Sequence, residues 1–158
     1  MSIDTAVSQF FASAQTPLSN QIFTAISASL YVLILAALIY FIYKKDKLNT
    51  AKFVLGGLLL YGVSELLKIF TGRMRPDLSA NDSFPSNHAA LGFFAAYFLP
   101  ADKKYKILIY SWAILIVISR LALNLHWFTD VLAGTLIGLA FAYLVEKIPL
   151  EKLFKRSR

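Results

Sequence analysis

The side chains that could carry chemistry lie in three short stretches of the sequence, and most of them are cations or imidazoles. In chain order they are Lys68, Arg75, Ser86, His88, Arg120, His126 and Asp130. Lysine and arginine can neutralise a phosphate dianion, and the planar fork of arginine donors matches phosphate oxygens. The chain has no cysteine, which excludes a thiolate nucleophile, a thiolate metal site and a disulfide framework. The set therefore favours a phosphate group as the ligand.

The two histidines and the aspartate supply the groups that phosphoryl transfer needs. His126 and Asp130 are four residues apart, so they share one face of a helix that begins early enough. A carboxylate there can hold the imidazole in one tautomer and leave the opposite ring nitrogen free as a nucleophile. His88 can then be the general acid for the leaving oxygen. Ser86 follows Pro85 at a predicted helix start, where free backbone N–H groups attract anions.

Other uses of these side chains stay open at this point. Two histidines and an aspartate could bind a metal ion, but the neighbouring cations would repel it, and we predict neither a metal nor a cofactor. Buried charges could also form a transport pathway, although such a pathway should continue across the membrane. A non-catalytic protein that binds lipid headgroups is the third alternative.

The elements that must position these residues are predicted to be membrane helices. Of the 158 residues, 58% are hydrophobic and 16% are charged, whereas about 25% are charged in an average soluble domain. The mean hydropathy of +0.61 excludes soluble disorder, collagen and a coiled coil. A membrane helix needs about 20 mostly apolar residues. We predict a single all-α domain over 1–158, a polytopic transmembrane bundle with five spans at about 22–43, 53–70, 86–102, 107–123 and 128–148.

The five predicted spans divide the basic residues unequally between the two sides of the membrane. Twelve lysines and arginines follow the first, third and fifth spans, and the other four fall on the opposite side: Lys68, Arg73, Arg75 and Arg120. Cytoplasmic loops collect basic residues, so the C-terminus is predicted in the cytoplasm and the candidate site outside. The net charge of +7 does not indicate nucleic-acid binding, because no basic stripe with interleaved aromatics lies in a soluble segment.

The N-terminal segment is predicted to be a helix over 1–19 that lies in the outer membrane interface. It lacks the basic start and short apolar core of a signal peptide. Apolar side chains recur in it at helical spacing, at Ile3, Val7, Phe10, Phe11 and Ala14. A frayed tail is the alternative.

Three motifs between Lys68 and Asp130 resemble, in order and spacing, the signature of the type 2 phosphatidic acid phosphatase superfamily. They are Lys68-x6-Arg75-Pro76, Pro85-Ser86-Asn87-His88 and Ser119-Arg120-x5-His126-x3-Asp130. Three spaced motifs in one order are far more specific than any one alone. The family often has six spans, whereas the sequence predicts five and an interfacial helix.

The resemblance implies a metal-independent membrane lipid phosphatase. It implies that His126 forms a phosphohistidine, that Asp130 orients it, and that His88 is the general acid. The implied phosphate cradle consists of Lys68, Arg75, Ser86, Asn87 and Arg120 with backbone amides near the start of the helix. The family usually has glycine where this chain has Asn87, and asparagine tolerates left-handed backbone better than most residues.

The short outer loops favour a lipid as the substrate. The loop over 71–84 has 14 residues, so no soluble domain is available to grip a large water-soluble molecule. A lipid phosphate could instead enter sideways with its tails in the bilayer. The resemblance implies phosphatidylglycerol phosphate, a polyprenyl diphosphate, phosphatidic acid or a lipid A phosphate, in a bacterial inner membrane. No obligate protein partner is inferred.

Four residues outside the signature have two candidate roles each. Glu65 lies one helical turn before Lys68 and is predicted to pair with it, with substrate contact as the alternative. Arg73 could contact a second headgroup phosphate or anchor its loop at the interface. Gly134 and Gly138 form a small-xxx-small pair that could serve packing within the chain or dimer formation.

Overall fold

The computed structural model describes residues 1–99 and 102–150, and every regular element in that part of the chain is an α-helix. The helices are α1 (Ile3–Ser13), α2 (Pro17–Tyr43), α3 (Lys47–Thr71), α4 (Asn87–Phe98), α5 (Lys103–Ala122) and α6 (Phe128–Lys147). The predicted all-α class is confirmed. Four helices, α2, α3, α5 and α6, are long and apolar enough to cross a membrane. The basic residues after position 150 and residues 100 and 101 of the predicted third span lie outside the described residues.

The third predicted span, 86–102, contains a much shorter helix. At 1.5 Å per residue, the 12 residues of α4 span about 18 Å, against a hydrocarbon core of about 30 Å. The last carbonyl groups of α4 do not remain unpaired, because Lys106 of α5 donates to the carbonyl oxygens of Ala96, Tyr97 and Leu99, at 3.1, 2.7 and 2.7 Å. One ammonium group thus allows the helix to end inside the bundle.

The N-terminal segment forms two elements where one helix was predicted over 1–19. Helix α1 ends at Ser13, and Thr16 caps the next helix, α2, which begins at Pro17. Proline is favoured in the first turn of a helix, since the N–H that it lacks has no partner there. The short helix α1 therefore lies separately against the ends of α5 and α6.

Helix α4 lies at the centre of the bundle, packed against α2, α3, α5 and α6. The core is formed by buried apolar side chains that include Leu30, Ala37, Leu60, Phe94, Ile116 and Ala142. Large apolar side chains also cover the outward faces of the long helices, among them Leu35, Ile39, Leu58, Leu115 and Leu136. A soluble monomer rarely exposes so much continuous apolar surface. The chain is a multi-pass membrane protein.

Helix α6 approaches α4 at Gly134 and Gly138 so closely that no side chain fits between them. A Cβ atom on Gly134 would lie 2.5 Å from the carbonyl oxygen of Ser86, and one on Gly138 would lie 2.2 Å from that of Ala90. In this structure the glycine pair serves packing within the chain, one of its two predicted roles.

Candidate active site

Two loops bring the three motifs to one end of the bundle. Helix α3 ends at Thr71, and the left-handed backbone of the next residue, Gly72 (φ +51°), turns the chain into the loop before α4. Backbone hydrogen bonds fold this loop back, from Ser83 N to Arg73 O at 2.9 Å and from Ser86 N to Asp130 O at 3.1 Å. The second of these bonds joins the motif that begins α4 to the motif that begins α6.

A cavity of about 550 Å³ opens between these loops, the middle of α2 and the adjoining ends of α3, α4 and α5. It is lined by Leu30, Tyr31, Tyr61, Glu65, Lys68, Arg75, Asp82, Asn87, His88, Leu91, Arg120 and His126. Seven of the residues singled out from the sequence are among them, and the two histidines share this one cavity. Ser86, Arg73 and Asp130 are not part of its wall.

The ring of His126 is fixed by a backbone carbonyl group. Its Nδ1 lies 2.7 Å from the carbonyl oxygen of Ser83. A carbonyl oxygen can only accept, so Nδ1 carries the proton and Nε2 keeps its lone pair in the neutral ring. The carboxylate of Asp130 lies 3.9 Å from Nδ1, beyond hydrogen-bonding distance. Among the described residues, His126 and Asp130 therefore lie close together, as expected, but without a direct hydrogen bond.

Asp130 is wholly buried and binds Ser83, the residue whose carbonyl group contacts His126. Its carboxylate accepts hydrogen bonds from the Ser83 hydroxyl, from Arg73 Nη1 at 2.6 Å and from the backbone N–H of Trp127 at 2.9 Å. Asp130 thus acts on the imidazole through Ser83. Sequence reasoning missed Ser83, because the group that contacts the ring is a backbone carbonyl, which every residue has.

The surroundings of His126 keep its ring neutral. Burial, together with the positive charge of Arg120, lowers its pKa to about 3, although the hydrogen bond to Ser83 acts in the opposite direction. At neutral pH the ring therefore presents an unprotonated Nε2, which is the form that can attack phosphorus.

Arg120 is held in place by a side chain from another helix. Arg120, 8% exposed, donates from Nη1 to the hydroxyl of Ser27 on α2 at 2.6 Å. Its Nε is buried and has no hydrogen-bond partner among the described residues. A buried donor without a partner is unfavourable by about 1–3 kcal/mol, and more when it is charged. An anion bound in the cavity would remove that penalty.

Two carboxylates neutralise part of the positive charge. Asp82 accepts from Nε and Nη2 of Arg75 at 2.7 and 3.0 Å, and lies 3.9 Å from Lys68 Nζ. Glu65 lies 3.1 Å from Lys68 Nζ, as predicted, and also accepts from the amide of Asn87 at 2.5 Å. Burial alone would raise the pKa of Asp82, but the hydrogen bonds and charges of Arg75 and Lys68 lower it. Asp82 is therefore ionised and occupies the donors that a phosphate would use.

We expect Asp82→Asn to bind inorganic phosphate or vanadate more tightly, because a neutral amide competes less well for Arg75. The carboxylate is 40% exposed and partly screened, so the inhibition constant should fall by only about threefold to tenfold. Asp77→Asn is the matched control, since its carboxylate contacts Ser79 in the same loop. Weaker binding by Asp82→Asn would show instead that Asp82 holds Arg75 in its binding position.

The remaining predicted residues lie around this centre. His88 is in the first turn of α4, and its ring meets that of Tyr31 edge to face, with 6.4 Å between centroids. Ser86 is completely buried and caps α4, where its hydroxyl accepts from Ala89 N at 3.5 Å. Arg73 contacts Asp130 and the N-terminal Asp4, so it is not available to a second headgroup phosphate.

Comparison with known proteins places this arrangement among membrane phosphatases. The PAP2 superfamily matches residues 49–153. Phosphatidylglycerophosphatase B of Bacillus subtilis is 32% identical, over 99% of this chain and 87% of that protein. Lipid A 4'-phosphatase of Porphyromonas gingivalis is 26% identical, over 91% of this chain and 70% of that protein. The crystal structure of Aquifex aeolicus LpxE matches with a TM-score of 0.80 and 25% sequence identity. The match covers 93% of this chain and 96% of the LpxE chain.

Proposed function

We propose that His126 is the nucleophile in this chain, which belongs to the PAP2 superfamily and is a membrane lipid phosphatase. His126 Nε2 attacks phosphorus, the bond to the lipid oxygen breaks, and His88 gives that oxygen a proton. Water then attacks the phosphohistidine and gives its proton to His88, which releases phosphate and restores both rings. The observation that carries this proposal is the 2.7 Å distance between His126 Nδ1 and the carbonyl oxygen of Ser83, because a carbonyl acceptor places the proton on Nδ1 and leaves Nε2 of the neutral ring free.

The phosphate oxygens are bound by the three cations of the cavity. Lys68, Arg75 and Arg120 all line it, and the free Nε of Arg120 supplies a donor that is already buried. Ser86 contributes as the cap of α4, because the first N–H groups of a helix have no partner within it and attract anions. Asn87 lines the cavity beside them. Substrate binding displaces the Asp82 carboxylate from Arg75, and phosphate oxygens take its place.

An apolar groove supports a lipid as the molecule that carries the phosphate. It has a volume of about 280 Å³ and lies between α2, α3 and α4. Tyr61 and Leu91 line both the groove and the active-site cavity. From there the groove continues along the helices past Gly57 and Phe94, away from the cations. A phosphate at the cations would therefore place an attached acyl or prenyl chain in this groove.

The substrate is one of the lipid phosphates of a bacterial envelope. Phosphatidylglycerol phosphate is first among them, because the relative matched over nearly the whole chain is named as a phosphatidylglycerophosphatase. A lipid A phosphate, phosphatidic acid and a polyprenyl diphosphate are the other candidates. The twelve basic residues of the opposite loops and tail support an inner-membrane protein whose site faces the periplasm or the outside.

A panel of lipid phosphates tests this function. Purified protein in detergent should release phosphate from at least one of them and should continue to do so in EDTA, since three cations take the place of a metal at the phosphate. The same headgroup without acyl chains is the matched control. Its kcat/KM should fall by at least about tenfold, because each buried CH2 contributes about 0.8 kcal/mol. Intact cells should also hydrolyse an added short-chain lipid phosphate. Loss of activity in EDTA, or equal turnover of the chain-free control, would contradict the proposal.

A further inference from the structure

We infer that the N-terminal helix α1 belongs to the catalytic apparatus, with Asp4 as a positioning residue for His126. This inference rests on the proposed role of His126 as nucleophile. Asp4 lies more than one hundred residues away in sequence and is not part of the cavity wall. It acts through a continuous series of contacts that begins at Arg73.

Asp4 is bound by two groups of Thr129 at the start of α6 and by Arg73 of the loop after α3. Its carboxylate accepts from Thr129 N at 2.9 Å, from Thr129 Oγ1 at 2.7 Å and from Arg73 Nη2 at 2.6 Å. The backbone N–H of Thr129 is one of the first in α6, which have no partner within their own helix. Burial would raise the pKa of Asp4, but the hydrogen bonds from Thr129 and Arg73 lower it, so the carboxylate is ionised. An anionic side chain of α1 thus caps α6.

Arg73 joins Asp4 to the active site. One nitrogen of its guanidinium, Nη2, contacts Asp4, and the other, Nη1, contacts Asp130 Oδ1 at 2.6 Å. The side chain also lies over the ring of Trp127, with 5.7 Å to the centroid. Each half of the guanidinium therefore has its own carboxylate. Without Asp4, one half would have no charged partner, and the long side chain would regain rotamer freedom.

The series continues from Asp130 to the nucleophile. Asp130 accepts a hydrogen bond from the hydroxyl of Ser83, and the carbonyl oxygen of Ser83 accepts one from Nδ1 of His126. Of the five residues in the series, His126 is the one that lines the cavity. A disturbance at Asp4 should therefore change the orientation of the nucleophile and leave the phosphate-binding cations in place.

Other contacts attach α1 and the linker after it to the bundle without involving Arg73. Ser8 Oγ donates to Asn124 Oδ1 at 2.7 Å, and Gln15 Nε2 donates to the carbonyl oxygen of Ala122 at 2.9 Å. The side chains of Val7 and Phe11 pack against the cluster that contains Leu121. These contacts supply a matched control, because Ser8→Ala loosens α1 and leaves Asp4 and Arg73 unchanged.

The test compares Asp4→Asn with Ser8→Ala for kcat, KM and melting temperature on a lipid phosphate. We expect Asp4→Asn to lower kcat by about tenfold to a hundredfold, as small displacements of a reacting group do, with KM within about twofold of wild type. Ser8→Ala should keep both constants. Asp4→Asn and Arg73→Lys should be strongly non-additive, because they interrupt the same series. If Asp4→Asn does not fold, Arg73→Lys alone makes the test, since lysine cannot contact both carboxylates in the same way.

Three outcomes separate this inference from the function on which it rests. Equal effects of Asp4→Asn and Ser8→Ala would mean that α1 contributes only to stability, and the inference would be wrong. A rise in KM without a fall in kcat would mean that Asp4 acts on binding, which also overturns it. Full activity of His126→Ala would remove the proposed nucleophile itself, whatever Asp4→Asn does.

Discussion

Replacing His126 with alanine should abolish phosphate release from every lipid phosphate while the bundle stays folded. The loss should be on the order of a thousandfold or more, as for other enzymes that lose their nucleophile. The ring is buried and its pKa is low, so the substitution removes the one unprotonated imidazole that is fixed by a backbone carbonyl. Thermal unfolding in detergent, measured beside turnover, checks that the variant is folded.

His88→Ala separates the two histidines by their roles. An aryl phosphate whose leaving group needs no proton should still phosphorylate His126 in this variant, whereas hydrolysis of the phosphohistidine should be slow. Labelled phosphate should therefore accumulate on His88→Ala and be absent from His126→Ala. A phosphorylated His126→Ala protein would place the nucleophile elsewhere.

Replacing Gly138 with alanine should destabilise the protein and lower its activity together. The added Cβ would lie 2.2 Å from the carbonyl oxygen of Ala90 and 2.9 Å from its carbonyl carbon, so helices α4 and α6 would have to move apart. Overpacking of this kind costs about 1–3 kcal/mol. Turnover falls as well, because α4 carries His88 and α6 begins beside His126. Unfolding temperature and kcat are the two measurements.

Gly62→Ala is the matched control for that prediction. Gly62 lies within α3, and outside its own helix no atom of residues 1–99 and 102–150 approaches within 4 Å of the position that its Cβ would take. Alanine is a better helix former than glycine by up to about 1 kcal/mol, so this variant should be at least as stable as the wild type. If Gly138→Ala matched Gly62→Ala in stability and turnover, the close contact between α4 and α6 would not contribute to either property.

The class of the protein follows from its sequence because both features that indicate it, the apolar runs and the side chains of the motifs, are local. Apolar runs long enough for a bilayer predict helices without knowledge of their neighbours, and in the described part of the chain four of the five predicted spans contain a helix long enough to cross. The cations and imidazoles of the three motifs are equally direct, since their chemistry belongs to the side chains themselves. The predicted all-α fold and lipid phosphatase class are confirmed, and seven of the predicted site residues line one cavity.

Only the tertiary structure decided those contacts whose partners are not marked by any local sequence pattern. The last carbonyl groups of the third apolar run are bound by Lys106, which reaches them from another helix. The ring of His126 is held by the carbonyl group of Ser83, although the spacing predicted Asp130. Arg73 contacts Asp4, which lies 69 residues before it in the sequence. Residue type and spacing determine which groups are available. A hydrogen bond, however, tolerates a variation of only a few tenths of an ångström in the distance between donor and acceptor, and the packing of distant helices sets that distance.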